Sequence, residues 1–238
     1  MKHFFPIFKK EILAYINSPL AYIFTAIFLI VGNWLFFQNF FLMNQANMRS
    51  YFDLLPWIFL FITPALTMRL WAEEKKSGTI EVLLTFPVKD IEVVLAKFLS
   101  SVFFLLIVLL LSFSLPLTIS SLGNIDWGVI IGSYIGALLL GSLYLAIGLF
   151  ISALTKNQIV AFLLTVVSCF FLFIISTPFV LQAVPFLAPV LRVAGADDHF
   201  LNLTRGIFDS RDIIYYLSAI GLFLYLNNQV LNSRNWKS

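Results

Sequence analysis

The sequence predicts an all-α membrane protein in which residues 1–238 form a single domain with six transmembrane helices. Hydrophobic residues make up 61% of the chain and charged residues only 11%, whereas soluble domains carry about 25% charged residues. A chain of this length cannot bury so much apolar surface in one core, so lipid must surround much of it. The alternating polar and apolar pattern of barrel strands is absent, which leaves helices as the spanning structure.

An amphipathic helix is predicted at the N-terminus, over residues 1–19. One helical face carries the apolar residues Phe5, Phe8, Ile12, Tyr15 and Ile16. The early lysines lie largely elsewhere, which favours a helix on the cytoplasmic membrane surface over the alternative of a disordered basic leader. The apolar run after it is too long for a signal-peptide core and has no A-x-A-like cleavage site. It is therefore expected to remain in the protein as a membrane helix.

Six apolar stretches reach or approach the roughly 20 residues that a helix needs to cross a bilayer. They are residues 20–42, 54–70, 94–119, 127–154, 159–180 and 213–230. Bends or ends of these spans are expected at Pro64, Pro116 and Pro178. The Gly132-x-x-x-Gly136 spacing in the fourth span predicts close helix packing.

The segment between the fifth and sixth spans, residues 181–212, is too apolar for a solvated loop. It contains Pro185, Pro189 and Gly195, which break regular structure. We expect short helices here that dip back into the outer leaflet, where protein or water must satisfy any non-helical backbone.

Lysine and arginine placement predicts the topology. With the N-terminus in the cytoplasm, the inner segments hold 11 of the 15 basic residues, while the acidic residues divide equally, six on each side. The asymmetry is confined to the cations, as the positive-inside rule requires. Both termini are therefore expected in the cytoplasm, and we place the chain in the inner membrane of a bacterium.

A charged cytoplasmic loop is predicted over residues 71–93, in the stretch EEKKSGTIEVLLTFP. Gly78 stops the preceding helix because glycine tolerates the left-handed conformation. Thr79 can cap a new helix, Glu81 suits its positive N-terminus, and Pro87 ends it after about two turns. Its apolar face consists of Ile80, Leu83 and Leu84. Spacing alone leaves two alternatives open, a short helix that docks a partner and an ordinary charged loop.

The run E-E-K-K-x-G-T-x-E-x-L-L-x-x-P-V, followed by Lys97, resembles the signature loop of ABC-2 type transporter permeases. The run Pro64-x-x-Thr67-Met68-Arg69, just before this loop, resembles the same family. The opening Lys10-Glu11 and the run from Asn17 to Tyr22 are also similar to the start of that family. Within it, the chain is most similar to permease subunits of gliding-motility and nitrous-oxide-reductase maturation systems.

The resemblance implies a permease subunit that couples ATP hydrolysis to export or conformational work. Two such chains, identical or different, pair in the bilayer, and each docks a separate ABC ATPase through its N-terminal helix and charged loop. ATP and magnesium then lie on the ATPase, and this chain binds no cofactor or nucleic acid. The implied coupling interface consists of Lys10, Glu11, Glu73, Glu74, Gly78, Thr79, Glu81, Leu83, Leu84 and Pro87. None of these residues is expected to make or break bonds.

Motifs for enzymatic activity and for metal binding are absent. The chain has no G-x-x-x-x-G-K-[ST] loop, no H-E-x-x-H motif and a single cysteine, so it is expected neither to hydrolyse ATP nor to hold zinc. Asp197, Asp198 and His199 form a possible metal site, but two carboxylates and one histidine are a weak ligand set. The preferred interpretation is that they cap a short outer helix and face water.

Three alternatives compete with an ATP-driven permease. A secondary transporter needs buried ionisable groups, and the nearest candidate, Lys97, is expected to extend to the membrane surface. An intramembrane enzyme needs a nucleophile beside a base, and no such pair is evident. A membrane anchor in a larger motility or maturation machine, moving no solute, would carry the same docking surface and stays open.

Overall fold

The computed structural model describes residues 4–43, 47–79 and 89–232, and the regular structure in these ranges is entirely helical. The predicted all-α class is confirmed. In chain order the helices are α1 Phe4–Ile16, α2 Pro19–Met43, α3 Arg49–Thr67, α4 Arg69–Ser77, α5 Asp90–Ser112, α6 Ser114–Leu122, α7 Trp127–Leu154, α8 Gln158–Ile174, α9 Pro178–Ala183, α10 Ala188–Ala194, α11 Ala196–Thr204 and α12 Ser210–Asn232.

Five helical stretches in the described ranges are long and apolar enough to cross a membrane. They are Pro19–Gln38, Arg49–Ser77, Asp90–Leu122, Trp127–Leu154 and Ser210–Asn232. A further apolar helix, α8, the fifth of six in chain order, has 17 residues and falls short of that length. The sequence predicts this span at 159–180, but α8 ends at Ile174. Thr177 is extended, with ψ 146°, because the ring of Pro178 disfavours the α conformation in the residue before it.

The long helices alternate in direction, so the structure has two ends. The α1 end holds α1, α4, the first turns of α5 and the last turn of α7. The α11 end holds α6, the short helices α9 to α11, and the first turns of α3, α7 and α12. Tyr15 of α1, for example, contacts the carbonyl of Leu66 near the end of α3 and the hydroxyl of Ser101 in α5.

Helix α7 lies at the centre of the structure and is the most buried of the spanning helices, with 78% of its apolar window buried, against 22% for each of α2 and α12. Glycines let α7 pack closely against its neighbours. A Cβ added at Gly132 would lie 3.0 Å from the carbonyl oxygen of Leu203, and one added at Gly136 would lie 3.0 Å from the Leu203 Cβ. The predicted close packing at Gly132-x-x-x-Gly136 is confirmed, and its partner is α11.

Short helices do form between the fifth and sixth apolar helices. Helix α11 packs against α7 and buries Ala196, Phe200, Leu203 and Thr204. Asp197 and Asp198 occupy its first turn, as predicted. His199 does not face water: its side chain is 15% exposed, and its Nδ1 lies 2.6 Å from Asp212 Oδ1 in α12. The other ring nitrogen, Nε2, lies 3.2 Å from the carbonyl oxygen of Val193, so His199 connects α10 with α12.

Helix α1 packs on the rest of the structure through only part of the predicted apolar face. Tyr15 is 1% exposed, but Phe5 and Ile16 are exposed, although the sequence pattern places all three on one face. The face that packs on α5 instead carries Tyr15 and Glu11. Sequence periodicity misses this face because it assigns a glutamate to solvent by default.

Candidate functional site

The candidate site begins at Met68, where the helical hydrogen-bond ladder between α3 and α4 is interrupted. Pro64 lacks the N–H that would continue the helical ladder, so a bend is expected within a turn of it. The interruption falls at Met68, between Thr67 and Arg69, and we refer to it as the bend. The hydroxyl of Thr67 donates to the Thr63 carbonyl at 3.0 Å, which satisfies an acceptor beside the bend.

Ser152 of α7 fills this break. Its hydroxyl donates to the Met68 carbonyl at 3.0 Å and accepts from the backbone N–H groups of Trp71 and Ala72, each at 3.1 Å. In an unbroken helix, the Ala72 N–H would donate directly to the Met68 carbonyl. A side chain from another helix therefore completes the backbone hydrogen bonding of the bend and holds α4 on α7. Lys75 adds a second tie by donating from Nζ to the carbonyl oxygen of Ala153.

A buried charged group fixes the other side of α4. The Nζ of Lys97 in α5 lies 2.8 Å from Glu11 Oε1 in α1 and 2.9 Å from Glu74 Oε1 in α4. Lys97 is 1% exposed, and its Nζ also lies 5.0 Å from the centre of the Trp71 ring. We refer to Glu11, Lys97 and Glu74 as the Lys97 triad.

The Lys97 triad corrects the sequence interpretation of that lysine. The sequence predicts that Lys97 extends to the membrane surface, yet its side chain points into the protein. Carrying a charge into a low-dielectric interior is unfavourable unless partners neutralise it. Two carboxylates do so here, and the hydroxyls of Ser100 and Ser101 satisfy the Lys97 carbonyl at 2.8 Å each. The triad joins three helices that are distant in sequence.

Tyr15 and Arg69 secure α1 against the bend. The Tyr15 hydroxyl donates to the Leu66 carbonyl at 3.2 Å, and burial raises the pKa of Tyr15 to about 12, so the phenol stays protonated. Arg69 follows the bend directly; its guanidinium carbon lies 5.1 Å from the centre of the Tyr15 ring, and its Nη1 donates to the Ser18 hydroxyl at 2.7 Å. Helix α1 is thus fastened to α3, α4 and α5.

A groove of about 390 Å³ runs between α1 and α4 and brings together half of the predicted interface. The predicted residues that line it are Lys10, Glu11, Glu73, Glu74 and Thr79. Lys10 and Glu73 are exposed, whereas the carboxylates of Glu11 and Glu74 are turned towards Lys97. Glu11 and Glu74 therefore hold the groove together rather than presenting their charges to solvent.

Gly78 ends α4 as predicted, with a left-handed φ of 74°. Beyond it, the hydroxyl of Thr79 contacts the Ser77 hydroxyl at 2.9 Å. The remaining predicted interface residues lie outside the described ranges: Glu81, Leu83, Leu84 and Pro87. The structure thus describes α4 up to the start of the predicted docking helix.

Comparison with known protein families identifies the family to which the chain belongs. The family model for ABC-2 family transporter proteins matches residues 5–237. The chain belongs to this family. Comparison with the curated proteins gives no match. This ABC-2 family protein is therefore an integral membrane protein and the membrane component of a transporter, and permeases of its family normally work with an ABC ATPase in a lipid bilayer.

Sequence reasoning missed the contacts that hold the ABC-2 site together. Tyr15, Arg69 and Lys97 stand in the predicted patterns without these contacts, and Lys75 and Ser152 were given no role. One signal was available. A lysine inside a long apolar run must find an anion or reach water, and Glu11 and Glu74 are acidic residues expected near the same membrane face. Nothing in the sequence marks Ser152, because a serine in a membrane helix usually bonds only to its own backbone.

Proposed function

We propose that this chain is a permease subunit that receives mechanical work from a separate ABC ATPase at the α1 end. The ATPase docks on the groove between α1 and α4 and on the loop that follows Gly78. Nucleotide binding and hydrolysis on the ATPase displace α4, and the permease converts that displacement into a rearrangement of its spanning helices. The chain itself holds neither ATP nor magnesium.

One observation carries this proposal: α4, which leads directly into the charged loop, is fastened on three sides. Ser152 and Lys75 tie it to α7, and the Lys97 triad ties it to α1 and α5. A force applied at Gly78 therefore acts on three helices together rather than fraying one helix end. An ordinary charged loop would not need such a support.

The direction of the chain in the membrane is part of the proposal. The basic residues gather at the α1 end, where the positive-inside rule places the cytoplasm. Both termini then lie in the cytoplasm, and α8 serves as the fifth of six spans. We place the protein in a bacterial inner membrane, where it pairs with a second permease chain. Its similarity to gliding-motility permeases favours that process among the roles open to it.

The buried lysine bears on the alternative of a secondary transporter. Lys97 is an ionisable group buried within a spanning helix, contrary to the sequence interpretation. Two carboxylates hold it at distances below 3.0 Å, and it lies in the second turn of α5, close to the helix end. Its surroundings favour a fixed structural charge over a carrier of transported ions. A membrane anchor that moves no solute is the second candidate, because the same support would serve it.

The test is to purify the chain together with the ATPase encoded beside it and to measure both association and ATP hydrolysis in lipid nanodiscs. Glu81→Arg and Leu84→Asp change residues of the predicted interface that follow α4 in the chain. We expect each variant to be recovered from the membrane in normal amount but to capture less ATPase. The increase in ATP hydrolysis that the permease causes should fall by at least tenfold.

Matched controls lie at the opposite end of the chain. Ser120→Arg and Leu122→Asp introduce the same residue types on α6 at that end, and they should leave association and hydrolysis unchanged. If the loop variants kept full association and stimulation, or if both pairs acted alike, the docking assignment would be wrong. In a separate assay, transport of a solute by the reconstituted wild-type complex would distinguish a permease from a membrane anchor that moves no solute.

A further inference from the structure

Three side chains in the first two turns of α12 join this spanning helix to the short helices at the α11 end. They belong to Asp212, Tyr215 and Tyr216. The Tyr215 hydroxyl donates to the carbonyl of Ala194 in α10 at 2.7 Å, and the Tyr216 hydroxyl donates to the carbonyl of Ala196 in α11 at 2.9 Å. These two contacts need no charge, whereas the contact made by Asp212 depends on one.

The imidazole of His199 in α11 lies between two acceptors. Its Nδ1 is 2.6 Å from Asp212 Oδ1, and its Nε2 is 3.2 Å from the carbonyl oxygen of Val193 in α10. A neutral imidazole carries a single N–H, so one of its nitrogens would present a lone pair to an acceptor. Both contacts are hydrogen bonds only when each nitrogen carries a proton. The arrangement therefore requires the imidazolium form of His199.

The surroundings of the ring suit a cation. Asp212 is 3% exposed, and its ion pair within the described part of the chain is with His199. A carboxylate buried to this degree has lost most of its water and needs a counter-charge. Tyr215 stacks on the imidazole with the ring centres 4.1 Å apart, and an aromatic face attracts a cation in this position. Asn202 donates from Nδ2 to Asp212 Oδ2 at 3.2 Å.

The other titratable groups around this pair are mainly acids and phenols. Asp197 and Asp198 precede the histidine in α11, and burial raises the pKa of Asp197 to about 6. From α12, the Tyr216 ring lies edge-on to the imidazole with the ring centres 6.5 Å apart, and Tyr144 of α7 interacts electrostatically with Asp197. Arg192 of α10 is exposed and shares a separate cavity with Asp198. A test of His199 must therefore be separated from the titration of Asp197.

We propose that His199 and Asp212 form a proton-dependent clasp that holds α12 to α10 and α11. With the imidazole protonated, both of its hydrogen bonds form and the clasp is closed. Loss of one proton leaves a lone pair facing either the carboxylate or the Val193 carbonyl, so the clasp opens and α12 can move relative to α10. The His199 side chain is 15% exposed, which lets it exchange protons with solvent. Because the proton stabilises the closed form, closure weakens as pH rises.

The clasp itself does not depend on the proposed ATPase coupling. In the proposed orientation the α11 end lies outside the cytoplasm, so the clasp responds to the pH of that compartment. This last step alone rests on the proposed function. The experiments use the full chain in lipid nanodiscs, where both faces meet the same buffer and no ATPase is present. Their outcome is therefore independent of the orientation and of the coupling mechanism.

The charge of the ring can be measured with the pair unaltered. The chain has two histidines, His3 and His199, so His3→Gln leaves His199 as the single imidazole in ¹⁵N NMR of histidine-labelled protein. We expect both ring nitrogens to carry protons at about pH 6 and one to have lost its proton at about pH 9, on either side of the ordinary titration of histidine. A ring that keeps the same charge at both pH values would overturn the proposal.

Opening is measured by amide hydrogen exchange over residues 188–204, corrected for the intrinsic effect of pH on exchange. We expect exchange in the wild type to be at least about tenfold faster at about pH 9 than at about pH 6, the loss expected for a hydrogen bond to a charged group. His199→Gln does not titrate and should exchange rapidly at both pH values. His3→Gln is the matched control and should keep the wild-type response.

A double-mutant cycle separates the clasp from Asp197. The four proteins are the wild type, His199→Gln, Asp212→Asn and the double variant, and the carboxyl of Asp197 is common to all of them, so its own titration cancels. We expect the coupling between His199 and Asp212, measured by exchange, to be present at about pH 6 and lost at about pH 9. The same coupling at both pH values, or a wild-type pH response in His199→Gln, would overturn the proposal.

Discussion

Replacement of Lys97 by methionine tests the structural support of α4. Methionine has a similar length and no charge, so the substitution removes the cation while filling much of its volume. The side chains of Glu11 and Glu74, which are 9% and 17% exposed, would then face each other without a counter-charge. The protein must then keep two carboxylates ionised in a dry site, protonate one of them, or open the junction to water.

The expected loss follows from burial. Removing one partner of a buried ion pair costs about 3–5 kcal/mol, because the remaining charge stays desolvated. For a chain of this size, each kcal/mol lowers the melting temperature by about 2–4 °C, so a fall of about 6–20 °C is expected. Glu11 is the more buried carboxylate, so it should account for more of the loss than Glu74.

Compensating substitutions give the sharper result. In the Lys97→Met background, Glu11→Gln should recover more stability than Glu74→Gln, and the fully neutral triple variant should recover most of the loss, because the stranded charges are gone. Melting is followed by intrinsic tryptophan fluorescence in detergent. A Lys97→Met protein that melts with the wild type, or a triple variant as unstable as the single one, would refute the buried triad.

Three further substitutions probe separate contacts. Ser152→Ala leaves the N–H groups at the bend without their acceptor, so we expect the free energy of unfolding to fall by about 1–3 kcal/mol and amide exchange at Trp71 to become faster. Unchanged exchange would show that the hydroxyl does not support the bend. Burial, with Asp198 and Asp53 nearby, raises the pKa of Asp197 to about 6, so the folded state favours the neutral acid. The wild type should therefore lose stability as pH rises from about 4 to 6, and Asp197→Asn should make this slope shallower in melting curves taken between about pH 4 and 8. Gly132→Ala would place its Cβ 3.0 Å from the Leu203 carbonyl oxygen and should lower the free energy of unfolding by about 1–3 kcal/mol. The matched control is Gly221→Ala, whose Cβ would have no atom within 4 Å, and it should be neutral or slightly stabilising.

Local features of the fold were predictable because their causes lie in adjacent residues. Gly78 stops α4 because glycine adopts its left-handed φ with little strain. Pro64, Pro116 and Pro178 each lie within a few residues of a helix break, since proline removes a backbone donor and restricts the residue before it. Membrane insertion followed from composition alone.

The features that sequence reasoning missed depend on neighbours far away in the chain. Glu11 and Lys97 are separated by 86 residues, and no periodicity reports that a charged residue will be buried when its partner arrives from another helix. The hydroxyl of Ser152 accepts hydrogen bonds from backbone groups of α4 that lie 80 or more residues away along the chain. The length of α8 was overestimated because hydropathy continues through 174–180 while the backbone already turns before Pro178.

Coupling requires an ATPase to contact the α1 end of the protein, near the close of α4. Photo-crosslinking in native membranes reports this contact, with a benzoylphenylalanine residue placed at Thr79 or, at the opposite end, at Asn124. We expect a crosslink to the ATPase subunit from Thr79 and none from Asn124. No adduct from Thr79, or an adduct from Asn124 alone, would contradict the coupling mechanism.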